Sequence, residues 1–263
     1  MDGTADQLFK TLSEYNATTN TIMEKIAKAL IPLGMAILGI LFMIELANTQ
    51  KKFQEEGGGL TIEILTNIAM KYIIAYFFIM TSGYIIDSIV WFTIQASKWI
   101  HSLVTFKGVS ETIPEMGKVP FWAKPVLFLF QITCYVFVFL SSVVVKILIF
   151  LRGVQLYVIK ALAPLFFAFF VNDELRTITM GYLKTIFAYA LQGTILLLLL
   201  GLLPILTVND FLELGSFEGG IWATAGTLII NVMSYIALIL KYIAIILLFI
   251  GSQGLAKRLV GAM

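Results

Sequence analysis

The sequence predicts an all-α, polytopic membrane-spanning fold, and three observations lead there. Of the 263 residues, 59% are hydrophobic and 13% charged, and the mean hydropathy is +0.94. That is more apolar surface than a water-soluble globule of this length can bury. The apolar residues also fall in runs of roughly 20 or more, the length a helix needs to cross a hydrocarbon core about 30 Å thick. One of these runs, Pro125 to Val171, contains no good turn signal and is too long for a single straight crossing. The net charge of +2 decides little, because the placement of lysines relative to a bilayer matters more than their sum. Cys134 is the one cysteine and lies in an apolar run, so an intrachain disulfide is excluded and a packed small side chain is the expectation.

Taken in order, residues 1–25 are polar and of mixed charge and lack the pattern of a secretory signal. Leu8, Leu12 and Tyr15 set against Lys10, Ser13 and Glu14 fit a short amphipathic helix on a surface. Residues 26–92 hold two spans. Ile26–Ala47 is the first, with Pro32 near its start and Glu45 as a carboxylate near its end; Lys51, Lys52, Glu55, Glu56 and a flexible Gly57-Gly58-Gly59 joint follow. Tyr72–Phe92 is the second, with Thr61–Lys71 as lead-in. Asp87 lies four or five residues from its end, shallow enough to reach an interface or a helix partner. Residues 93–124 read as an interfacial segment flanked by Trp91, Trp99 and Trp122, where an aromatic belt belongs, and His101 there has no metal-ligand spacing beside it.

Residues 125–250 form the core helices. The central run carries Lys146, Arg152, Lys160 and Pro164, then breaks at Asn172-Asp173-Glu174-Leu175-Arg176, a cytoplasmic turn within 172–178. A further span, Thr179–Leu206, precedes the loop Thr207–Gly220, which contains acids but no lysine or arginine and so faces away from the cytoplasm. Ile221–Ile250 returns to a cytoplasmic tail, 251–263, with Lys257 and Arg258, and Lys241 is expected to snorkel toward the inner interface. If Pro125–Val171 is one unusually long helix there are five spans and the amino terminus lies outside. If it folds back near Phe150–Gly153 there are six and it lies inside. The lysine distribution favours six, and the missing turn sequence favours five.

Pro164 removes an intrahelical hydrogen bond and bends the chain ahead of the break. Asp173 and Glu174 can cap the following helix, while Arg176 and Lys184 can meet headgroups or a partner. The order Ala161-Leu162-Ala163-Pro164-Leu165-Phe166-Phe167-Ala168, then Glu174 with Arg176, then Gly181-Tyr182-Leu183-Lys184, then Leu191-Gln192-Gly193, resembles the TrbL/VirB-type polytopic inner-membrane subunits of conjugative type IV secretion systems. The resemblance covers about 40 residues. It implies five spans with the amino terminus outside and the carboxyl terminus inside. It also implies a homo-oligomer assembled with other secretion subunits and ATPases in a bacterial cytoplasmic membrane, around a conduit for relaxase-bound single-stranded DNA or protein. In that setting Pro164, Asp173, Glu174, Arg176, Gly181 and Lys184 are the candidate docking turn.

No catalytic, cofactor or metal motif is present in the sequence: there is no Walker A pattern, HExxH or Cys-x-x-Cys. A non-enzymatic subunit is therefore expected. Lys146, Arg152 and Lys160 form a candidate basic strip for a strand, although snorkelling explains the three equally well. Two other classes stay open: an ion-coupled carrier using the intramembrane acids Glu45 and Asp87, and a holin-like pore former.

Overall fold

The computed structural model describes residues 6–55, 61–103, 121, 124–209 and 227–262. All regular structure in them is helical: α1 Leu12–Tyr15, α2 Ala17–Glu55, α3 Ile62–Leu103, α4 Lys124–Phe167, α5 Arg176–Asn209 and α6 Thr227–Val260, with a 3-10 turn Ala168–Phe170 after α4. Five of them, α2 to α6, are long and apolar enough to cross a membrane. The Gly57–Gly59 joint, residues 104–120, Trp122, and the acidic loop with Trp222 lie outside the described residues.

The central run is one continuous helix of 44 residues, so there is no hairpin near Phe150–Gly153. It is the longest helix among the described residues, with α3 at 42 residues and α2 at 39 close behind. At about 1.5 Å per residue, each of these three measures roughly 58–66 Å, about twice a hydrocarbon core. The helix that contains the expected second span Tyr72–Phe92 extends beyond it at both ends, and the lead-in Thr61–Lys71 is helical from Ile62. Helix α3 runs through Glu63, Lys71 and Lys98, because charged residues that end an apolar run are good helix formers and do not end a helix.

Local signals explain the helix ends. Thr11 caps α1 in a reciprocal box with Glu14, and Asn16 Oδ1 accepts the Thr19 N–H (2.9 Å) at the start of α2. Helix α6 closes on Gly261 at φ +64°, with Gly261 N–H bonded to Arg258 O (3.2 Å) and Ala262 N–H to Lys257 O (2.9 Å). Glycine adopts that left-handed conformation without steric cost.

The chain divides into two compact units, and helices α3 to α6 contribute residues to both. The first unit contains Met1–Phe9, Ala96–Leu151 and Gln192–Leu255. Leu127, Cys134 and Tyr235 form a fully buried cluster in it, Cys134 Sγ reaches Tyr235 O (3.6 Å), and the Ser97 and Thr194 hydroxyls meet at 2.8 Å. His101 packs its ring against Phe9 (5.1 Å). The second unit contains Lys10–Gln95, Arg152–Leu191 and Ala256–Met263, and it holds the larger hydrophobic core.

Candidate functional site

The second unit brings together polar groups that an apolar helix bundle has to pair or expel. Lys160, on α4, is 2% exposed. Its ammonium donates to Asn20 Oδ1 (3.0 Å), Glu24 Oε1 (3.0 Å) and Asp87 Oδ2 (2.8 Å), which uses all three of its protons. Asn20 and Glu24 sit one turn apart on α2 and are linked by an Asn20 Nδ2 donation of 2.8 Å. Three helices therefore converge on one cation. A cavity of about 410 Å³ adjoins the node, lined in part by Glu24, Lys28, Asp87 and Lys160.

One turn earlier on α4, the Tyr157 hydroxyl donates to the backbone carbonyls of Leu12 and Asn16. Beside it, a Cβ on Gly153 would come within 3.1 Å of the Tyr15 ring. The amino-terminal helix is thus docked on α4 with Leu12 buried, where the sequence suggested a helix lying on a surface. Burial raises the Tyr15 phenol pKa, and the nearby Arg152 cation opposes the rise.

Arg152 is also buried, donating from Nε to Tyr189 O (2.9 Å) and from a terminal nitrogen to Ala190 O (3.3 Å) on α5. Snorkelling consequently does not explain Arg152 or Lys160, and Lys241 is likewise buried, at 7% exposed. Of the candidate basic strip, Lys146 alone is exposed. The three do not form a common exposed track, because the two buried cations are consumed by internal acceptors.

The two acids expected within the membrane, Glu45 and Asp87, have separate partners. Asp87 joins the Lys160 node, whereas Glu45 accepts the Tyr72 hydroxyl (2.8 Å) and lies 3.6 Å from the Lys71 ammonium.

At the turn after α4, the residue that organises the backbone is Asn172. Its Oδ1 accepts the Glu174 and Leu175 N–H groups (3.0 and 3.1 Å), and its carbonyl accepts the Arg176 N–H (2.8 Å). Asp173 and Glu174, expected as caps, are exposed, and the turn bonds go to the Asn172 amide oxygen, whose position at the start of the turn suits an Asx turn. Arg176 lies over the Phe170 ring at 5.3 Å. Gly181 has open space around it, so packing does not require glycine there. Lys184 is exposed and its Nζ comes near Gly261.

Pro164 is inside α4, and its carbonyl lies 2.7 Å from where a Cβ on Gly34 would stand. On either side of it, carbonyls of α4 accept side chains of α5: Phe166 O from the Thr179 hydroxyl and Ile159 O from the Tyr182 hydroxyl, both at 2.7 Å. The Tyr182 ring stacks on Phe166 at 4.5 Å.

Asn20, Glu24 and Tyr157 escaped the sequence reading, and Asn172 was placed in the turn without its capping role. The first two carried a faint signal, an Asn-x-x-x-Glu pair at helical spacing just ahead of an apolar run. Among the described residues no cluster of three or more metal-ligating side chains exists. Comparison of the chain with protein-family models, curated proteins and solved structures gave no match in any of the three.

Proposed function

We propose that this chain is a non-enzymatic, multi-pass subunit of a conjugative type IV secretion apparatus in a bacterial cytoplasmic membrane. It acts with further copies of itself, other membrane subunits and separate ATPases around a conduit for relaxase-bound single-stranded DNA or protein. The observation that carries this reading is the construction of the stretch Tyr157–Gly193, where the family resemblance lies. Hydroxyls of Thr179 and Tyr182 tie α5 to α4 on both sides of Pro164, and Asn172 closes the turn. A braced helix pair thereby presents Asp173, Glu174 and Arg176 as exposed charge. Exposed charge on a rigid support suits partner selection within an assembly, where rim charges set orientation and association rate. By the positive-inside rule, Lys257 and Arg258 support a cytoplasmic carboxyl-terminal tail.

The test is a conjugation assay in a strain lacking the gene, complemented with wild type or with a Glu174→Ala, Arg176→Ala double variant at matched membrane levels. Deletion is expected to abolish transfer, and the double variant to insert normally without restoring it. Transfer untouched by deletion would remove the secretion reading.

The cavity beside Lys160 favours a second reading, an ion-coupled carrier using Asp87. In that case Asp87→Asn with Glu45→Gln abolishes uptake of a solute by proteoliposomes, whereas a secretion subunit carrying both changes still assembles.

A further inference from the structure

The Lys160 node leaves carboxylate oxygens unused beside the adjoining cavity. Two carboxylates, Glu24 and Asp87, share one ammonium, and that ammonium has no proton left to give. Each acid uses one oxygen on Lys160, and their side chains are 44% and 43% exposed, so the second oxygens, Glu24 Oε2 and Asp87 Oδ1, remain available to a ligand. Lys28 follows Glu24 by four residues on α2, which places its Cβ about 5–6 Å away on the same helix face and puts a cation beside the acids. The remaining wall includes Ile31, Met80 and Pro164, and Met80 and Tyr84 are exposed at the cavity's edge. The volume of about 410 Å³ is in the range of small-ligand sites.

This arrangement combines surplus carboxylate oxygens, an adjacent cation and an apolar wall. A divalent metal ion fits it poorly, since calcium and magnesium want six or more oxygens and no three-acid group exists among the described residues. A quaternary ammonium has no proton to donate to the carboxylates. A primary ammonium has three, and a phosphate two carbons away from it matches Lys28.

We propose that this cavity binds the headgroup of an aminophospholipid, with its primary ammonium on Glu24 and Asp87, its phosphate on Lys28 and its glycerol-acyl end along the apolar wall. The proposal rests on the chain lying in a bilayer and not on its part in secretion. A failed conjugation assay therefore leaves it standing, and the reverse also holds.

The test uses the purified full-length chain in detergent and native mass spectrometry. Phosphatidylethanolamine, phosphatidylcholine and phosphatidylglycerol with matched acyl chains are titrated separately, with soluble phosphoethanolamine as a fourth ligand. Phosphatidylethanolamine is expected to bind at least about tenfold more tightly than the other two lipids, the scale of one charge-assisted contact. Asp87→Asn is expected to erase most of that preference while leaving phosphatidylcholine binding unchanged, and Lys28→Gln is expected to weaken phosphatidylethanolamine binding about tenfold through loss of its phosphate contact. Lys28 is exposed, so its variant keeps the test valid if Asp87→Asn disturbs folding. Equal binding of the ethanolamine and choline lipids overturns the proposal, as does wild-type affinity in a folded Lys28→Gln variant. Phosphoethanolamine binding as tightly as the lipid also overturns it, by showing that the ligand is a free solute.

Discussion

Lys160 ties three helices of the second unit together. Its ammonium is buried and holds an amide and two carboxylates drawn from two other helices. In Lys160→Met the aliphatic stem is replaced in kind, but Glu24 and Asp87 are left facing each other without a cation. Breaking a fully buried pair costs about 3–5 kcal/mol; both acids are nearly half exposed, so a discounted cost of roughly 1–3 kcal/mol is expected. Asp87→Asn leaves Lys160 with Glu24 and Asn20 and is expected to cost about 1 kcal/mol or less. Thermal unfolding of both variants in one detergent, followed by circular dichroism, checks the order; an Asp87→Asn loss equal to or larger than that of Lys160→Met contradicts it. The sequence displayed Asp87 and Lys160 as ionisable groups in apolar runs, which is where such groups need partners. It could not display their pairing across 73 residues, because helical periodicity fixes neighbours only within a helix. Glu24 and Asn20 were hidden for a different reason: in a polar amino-terminal segment a carboxylate carries no contrast.

At the scale of the element, two glycines on α2 separate close packing from mere tolerance. A Cβ on Gly34 would stand 2.7 Å from the Pro164 carbonyl oxygen, a backbone atom that cannot rotate away, whereas nothing lies within 4 Å of the same position on Gly39. Gly34→Ala is therefore expected to destabilise by about 1–3 kcal/mol, the usual cost of overpacking. Gly39→Ala is expected to be neutral or to stabilise by up to about 1 kcal/mol through helix propensity. Equal melting temperatures for the two variants would mean that α2 and α4 do not approach as described. The contact between α4 and α5 is tested by Tyr182→Phe, which keeps the ring stacked on Phe166 and deletes only the hydroxyl bonded to Ile159 O. A loss of about 0.5–1.5 kcal/mol is expected, and no change in melting temperature would show that this bond contributes nothing. Pro164 was legible as a disturbance of α4, and the chain does leave the α-helix within one turn, at Phe167. What composition could not show is which groups surround the proline, because the donors come from a helix on the far side of the turn.

For the molecule as a whole, the five apolar helices were legible from composition and run length, but the number that fully cross a bilayer is a question of parity. Five complete crossings put the two ends of the chain on opposite faces, as the family resemblance implies. The second unit argues the other way. Tyr15 packs on Gly153, the neighbouring Arg152 donates to Tyr189 O, and the Lys257 ammonium lies 5.6 Å from the Tyr189 ring. Residues near the beginning and the end of the chain therefore reach the same pair of facing helix segments. A hydrocarbon core of about 30 Å does not fit between two such neighbours. Single cysteines at Ser13 and Leu259, both exposed, report on this in a Cys134→Ser background that removes the buried native thiol. With a membrane-impermeant maleimide on intact and permeabilised cells, both positions are expected to label from the same face, the cytoplasmic one if Lys257 and Arg258 obey the positive-inside rule. That outcome means an even number of full crossings, with one long helix ending short of the far side. Labelling from opposite faces means five full crossings, and then the contacts of Tyr15 and Lys257 around Arg152 cannot both persist in the bilayer.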